Sequence, residues 1–152
     1  MTTPIHTSQH IVCHACGTLN RVPTGRDQSL ANCGRCKHAL ATPAPVDIDD
    51  ATFTRLRTRD TGAFIVDAWA PWCGPCRMMA PSYTAAAAAL SGQARLFKLD
   101  VDQNQASAAA LNVRSVPTLL AYAGGKLISQ QAGALQGPAL ESWIRSTLRL
   151  KG

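Results

Sequence analysis

The sequence predicts an α/β domain, a mixed central sheet flanked by helices, preceded by a small cysteine-bearing module. Three observations predict it. Strand-like and helix-like segments alternate from residue 46 onward. Gly124-Gly125 between two apolar runs is a hairpin signal, which makes the sheet mixed rather than wholly parallel. Residues 1–40 hold few large apolar side chains but four of the six cysteines, so burial alone cannot hold them together.

The elements follow in order. Residues 1–40 form the first module, and the Pro-rich stretch 41–46 is a short, semi-rigid linker to a domain spanning 47–152. Asp49 or Asp50 is placed to cap a helix that turns Phe53 and Leu56 inward. Residues 63–70 read as a buried strand. Residues 73–90 are helical in composition, with the alanine run 85–89, and Pro81 should kink them. Residues 96–102 read as a second strand and 104–111 as a short helix. Residues 118–122 and 126–130 flank the two glycines. Leu140, Trp143, Ile144, Thr147 and Leu148 share one face of a closing helix, with Trp143 in the core.

Composition excludes several classes. Of 152 residues, 46% are apolar and 16% charged, which fits a packed domain rather than a disordered chain. No apolar run reaches the roughly 18 residues of a membrane span. The first residues carry neither a basic nor an apolar leader region, so a cytoplasmic location is expected. The net charge of +6 is spread along the chain. Residues 1–46 carry four basic and one acidic residue, residues 47–152 eleven and eight. With aromatics at 5%, no basic stripe suited to nucleic acid emerges.

The cysteines form three C-x-x-C pairs. Cys13/Cys16 and Cys33/Cys36 are two knuckles separated by sixteen residues, a spacing that suits one tetrahedral zinc ion in a closed, structural site. Iron shares this ligand set, and His14 or His38 could replace a thiolate. All four histidines (His6, His10, His14 and His38) lie in this module. Gly17 and Gly34 are expected to let backbone amides approach the sulfurs.

The third pair, Trp72-Cys73-Gly74-Pro75-Cys76, follows a strand and opens a helix. Two cysteines so spaced can close a small disulfide ring. The first meets the unpaired N–H groups and dipole of the helix start, which favour a thiolate; the second lies a turn inside, shielded. Half of a metal site, or a purely structural disulfide, are the competing readings. Asp67, on the preceding strand among Ile65, Val66 and Trp69, should have a raised pKa through desolvation.

Residues 66–77, with Pro81, Lys98, Val116-Pro117-Thr118 and Gly133-Ala134, resemble the thioredoxin family, and residues 47–152 as a whole are similar to it. With the zinc knuckles, the chain resembles the zinc-containing bacterial thioredoxin 2 type. The resemblance implies a thioredoxin fold behind a zinc-ribbon-like module, and a protein-disulfide reductase working through a redox-active Cys73–Cys76 dithiol. It implies that Asp67 assists Cys76 with Lys98 as charge partner, and that Pro117 is cis. Trp72, Gly74, Pro75, Val116 and Gly133 would then form a docking rim beside Pro117. It further implies thioredoxin reductase and, indirectly, NADPH as electron source, protein disulfides as substrates, and a role in oxidative stress. A monomer is expected of a mobile carrier. The rival reading is a zinc module that regulates activity or binds clients on oxidation.

Overall fold

The computed structural model describes residues 8–24 and 30–150; His6 lies outside them. Two short strands, β1 (Ser8–Val12) and β2 (Leu19–Pro23), pair antiparallel in the first module. The second part runs β3 (Val46–Ile48), α1 (Asp50–Arg59), β4 (Phe64–Trp69), α2 (Gly74–Ala89), β5 (Arg95–Asp100), α3 (Gln105–Ala110), β6 (Thr118–Ala123), β7 (Lys126–Ala132) and α4 (Pro138–Leu148). Its sheet has the order β3-β5-β4-β6-β7. Strands β3, β5 and β4 are parallel to one another, β6 runs antiparallel to β4, and β7 runs antiparallel to β6.

Local chemistry explains most boundaries. Asp49 caps α1, its carboxylate accepting the Thr52 N–H at 2.9 Å. Gly124 and Gly125 both hold positive φ in the β6–β7 turn. Pro81 sits inside α2 without ending it. Strand β5 stops at Asp100, two residues before the sequence expectation, because Asp100 Oδ1 accepts the Asp102 N–H and turns the chain. Strand β3 is unannounced by the sequence; its three residues gain their partner only from β5.

The sheet has two apolar faces. Phe64, Val66, Phe97, Leu99, Leu120 and Tyr122 meet Phe53 and Leu56 of α1. Ile65, Leu96, Leu119 and Ala121 meet Met79, Tyr83 and Ala86 of α2 and Leu140, Ile144 and Leu148 of α4. Trp143 packs against this second core but stays half-buried. Val12 of β1 belongs to the first core, so the cysteine module is docked on the domain and shares its interior.

Candidate functional site

Strand β4 delivers Trp69 and then Ala70 to Cys73 at its C-terminal end. There Cys73 is the N-cap of α2 and forms a disulfide with Cys76. The Cys76 N–H donates to Cys73 Sγ at 3.1 Å, so the helix start aims a backbone donor at that sulfur. Two other segments arrive at the same end. Thr118 pairs with Ala68, which brings the cis Val116–Pro117 bond beside the disulfide, and the Val116 carbonyl oxygen lies 3.6 Å from Cys73 Sγ. The Gly133 N–H donates to the Pro117 carbonyl at 2.9 Å. Both sulfur residues are 3% exposed. Cys76 is thus shielded, and in the disulfide form Cys73 is buried to the same degree.

Around the pair, Trp72, Pro75 and Gly133 are exposed, Gly74 and Val116 half-buried, and Pro117 buried. Trp72 is 66% exposed, yet its ring is fixed, since Nε1 donates to Asp102 Oδ2 at 2.9 Å. Sequence reasoning missed Asp102, because the contact spans thirty residues.

Asp67 lies on the β4 face that α2 covers, which it shares with Ile65 and Trp69. It is 1% exposed, and its Oδ1 has no hydrogen-bond partner. Burial pushes its pKa up to about 7, against a smaller downward pull from Lys98. Lys98 is its register partner on β5 and holds its ammonium 4.5 Å from the Trp69 ring centroid. A carboxyl group that titrates near neutrality can take or give a proton under working conditions.

The other cysteine cluster is built by two equivalent turns. Gly17 N–H donates to the Cys13 carbonyl, and Lys37 N–H to the Cys33 carbonyl. Both residues after the knuckles take positive φ, +82° at Gly17 and 69° at Lys37. Gly34 keeps an ordinary φ, and the amide that follows it approaches the cluster, the Arg35 N–H donating to Cys33 Sγ at 3.4 Å. Asn20 ties the knuckles together. Its Nδ2 donates to the Thr18 carbonyl at 3.2 Å and its Oδ1 accepts the Gly34 N–H at 2.9 Å. The sequence carries no signal for it.

The four sulfurs lie within 4.8 Å of one another, with Cys13–Cys36 at 3.7 Å and Cys16–Cys33 at 3.6 Å. Zinc–sulfur bonds of about 2.3 Å in a tetrahedron need sulfurs about 3.8 Å apart, so the donor set fits Zn²⁺. His14 and His38 stand outside it, stacked edge to face at 5.2 Å. Burial pushes the Cys13 thiol up to about 12, while the Cys36 and Arg35 amides hold Cys33 at about 6. Full ionisation of the cluster thus depends on the metal charge.

This module sits at the far end of β4 and β5 from the disulfide. The Val12 N–H donates to Asp60 Oδ2 at 2.8 Å, the His10 N–H to Thr61 Oγ1 at 2.9 Å, and the Thr61 N–H to the His10 carbonyl at 2.8 Å. Asp60 precedes β4, whose six residues span about 17 Å before the redox pair. Among the described residues no helix is long and apolar enough to cross a membrane.

Comparison with known proteins agrees with both sites. A family model described as thioredoxin matches residues 44–146, and one described as thioredoxin 2, N-terminal, matches residues 12–38. Among curated relatives, "Thioredoxin C-3" of Corynebacterium nephridii is 35% identical over 139 residues, 91% of this chain and 95% of that protein. A Haemophilus influenzae "Thioredoxin" is 40% identical over 97 residues, 64% of this chain and 91% of that one. A Synechocystis "Thioredoxin" is 35% identical over 108 residues, 71% and 98% of the two chains.

Proposed function

The chain belongs to the thioredoxin family, and from that premise we propose how its residues divide the work of a thiol-disulfide oxidoreductase whose active dithiol is Cys73–Cys76. In the reduced protein the Cys73 thiolate attacks one sulfur of a client disulfide. A Cys73–client bond forms, the client bond breaks, and the departing client thiolate takes up a proton. Cys76, deprotonated by the Asp67 carboxylate, then attacks Cys73 Sγ. The internal disulfide closes, the mixed disulfide breaks, and the client leaves with two electrons and its second thiol. Lys98 steadies the ionised carboxylate. Trp72, Gly74, Pro75 and Gly133 form the surface on which the client chain lies beside Pro117, with the Val116 backbone pairing to it.

The observation that carries this reading is the unpartnered, buried Asp67 carboxyl on the face of β4 beneath α2. Its Oδ1 accepts no hydrogen bond, and an acid held near neutrality suits proton transfer. Electrons return through a reductase, which we take to be thioredoxin reductase fed by NADPH, with the protein acting as a cytoplasmic monomer. The domain limits follow the same reading: a zinc module over 1–40, a linker over 41–46 and the thioredoxin domain over 47–152. The four thiolates Cys13, Cys16, Cys33 and Cys36 would hold Zn²⁺, which supplies the charge and cross-link that fix both knuckles.

The test is stopped-flow reduction of a protein disulfide. Cys73→Ser should abolish turnover, and Cys76→Ser should trap the mixed disulfide. Asp67→Ala should slow resolution more than attack; an unchanged resolution rate in a folded variant would remove Asp67 from the mechanism. Exposure of Cys16 and Cys36 favours a second reading, in which oxidants reach the zinc thiolates and regulate the protein. Zinc release in the same potential range as disulfide formation would support it, and zinc retention well beyond that range would exclude it.

A further inference from the structure

Helix α2 carries the redox pair at its start and contains one charged residue, Arg77. Its guanidinium is anchored, with Nη1 donating to the Pro71 carbonyl at 2.8 Å. That bond stretches the side chain back across the loop that holds Trp72 and Cys73. Arg77 is exposed, and among the described residues no carboxylate lies within ion-pair distance of it; the ion pairs are Arg95–Asp60 and Arg145–Glu141. An arginine presents five N–H donors in a planar fork, so most of this one faces solvent unused.

Of the other charges near the disulfide, Arg114 also lacks a carboxylate partner among the described residues, and the rest are engaged. Asp102 accepts the Trp72 indole N–H, and Asp100 accepts the Asp102 N–H. Lys98 lies over the Trp69 ring. Arg114, two residues before Val116, donates to Asn112. The loop from Gly133 to Gly137 is uncharged. The mouth of the dithiol therefore offers a positioned, unneutralised guanidinium within one turn of Cys73.

We propose that Arg77 is a specificity-determining residue: it receives the carboxylate of an Asp or Glu flanking the client disulfide, so that this protein selects clients with acidic surroundings. This rests on the reductase reading above. A backbone-anchored guanidinium loses less freedom on pairing than a free side chain, and its fork matches a carboxylate. Because the pair forms at the surface, it should act chiefly on encounter and be screened by salt.

The test uses the full zinc-loaded chain, pre-reduced, with three disulfide peptides that differ only in a Glu, Gln or Lys two residues from the cysteine. Tryptophan fluorescence in stopped flow reads the second-order rate constant for each. The wild type should favour Glu over Gln by about three- to fivefold at low salt, and the ratio should shrink as salt rises. Arg77→Gln should bring that ratio close to one, and Arg77→Glu should invert it in favour of Lys. A ratio that stays at the wild-type value in both variants overturns the proposal. So does an equal loss on all three peptides, which would mark Arg77 as tuning the Cys73 thiolate. If the wild type reduces none of the peptides, it is the reductase reading that fails.

Discussion

Replacing Asp60 by alanine probes the joint between the two modules. The Asp60 carboxylate accepts two N–H bonds from the Arg95 guanidinium, both at 2.7 Å. It also accepts the Val12 N–H from the zinc module and the Gly62 N–H, each at 2.8 Å. The Asp60 and Arg95 side chains are 0% and 2% exposed, and the guanidinium lies 5.5 Å from the Phe64 ring and 5.9 Å from the Phe97 ring. Alanine would leave that cation in an apolar slot without an anion. Removing one partner of a buried pair costs about 3–5 kcal/mol. Orphaning the Val12 N–H adds to this, but the two share one network and do not sum, so we expect about 4 kcal/mol in all.

That is a large part of the roughly 5–15 kcal/mol by which domains are stable. Urea unfolding followed by circular dichroism, at fixed zinc and protein concentration, measures it. The midpoint should drop with the slope unchanged. The paired change Asp60→Leu with Arg95→Met removes both charges and should recover most of the loss, because the pair's attraction largely offsets its desolvation. An Asp60→Ala variant within about 1 kcal/mol of wild type would mean the pair behaves like an exposed one, and the docking argument would fail.

Three further outcomes follow from single features. Burial raises Asp67 to about 7 from 3.8, so the folded protein binds this proton more tightly than the unfolded chain. The stability of the disulfide form should therefore fall as pH rises from about 4 to about 7 and then level, by up to about 4 kcal/mol; Asp67→Asn should flatten that part of the curve, and a wild type already flat there would contradict the burial argument. Lys37 holds a left-handed φ of 69°, so Lys37→Gly should stabilise the zinc-bound protein by about 0.5–1 kcal/mol in thermal unfolding, less whatever its Nζ bond to the Gly34 carbonyl contributes. A Cβ on Gly62 would stand 2.6 Å from both Arg95 Nη2 and Ile11 Cδ1, so Gly62→Ala should cost about 1–3 kcal/mol and speed zinc removal by a chelator; wild-type chelation kinetics would show that the joint yields freely.

What the sequence made legible and what it hid divide along a physical line. The redox pair and the zinc knuckles are local: their chemistry needs two cysteines on one turn, and two intervening residues declare it. Helix α4 was legible because its buried Leu140, Ile144 and Leu148 recur at the helical period. Strand β3 was not, because three residues behind two prolines carry no period and owe their form to β5. The left-handed residue after the second knuckle was not legible either, because Lys37, unlike Gly17 after the first, does not announce a positive φ by its type.

The joint between the modules lies wholly on the hidden side of that line. Asp60 and Arg95 are thirty-five residues apart, and Val12 is forty-eight from Asp60. Neither charge announces the other from its own segment: Asp60 is the C-cap of α1 and Arg95 the first residue of β5. Only the parallel pairing of β4 with β5 brings them together, at the end of the sheet where both strands begin. The same pairing sends the redox pair to the opposite end. The packed route from the zinc module toward Cys73 runs the length of β4, through Phe64, Val66 and their packing on Phe97. This makes Asp60→Ala a test of communication as well as of stability. If the strand carries the coupling, loosening the joint should shift the midpoint of the Cys73–Cys76 redox titration at constant zinc. If it does not, the midpoint should hold while stability falls.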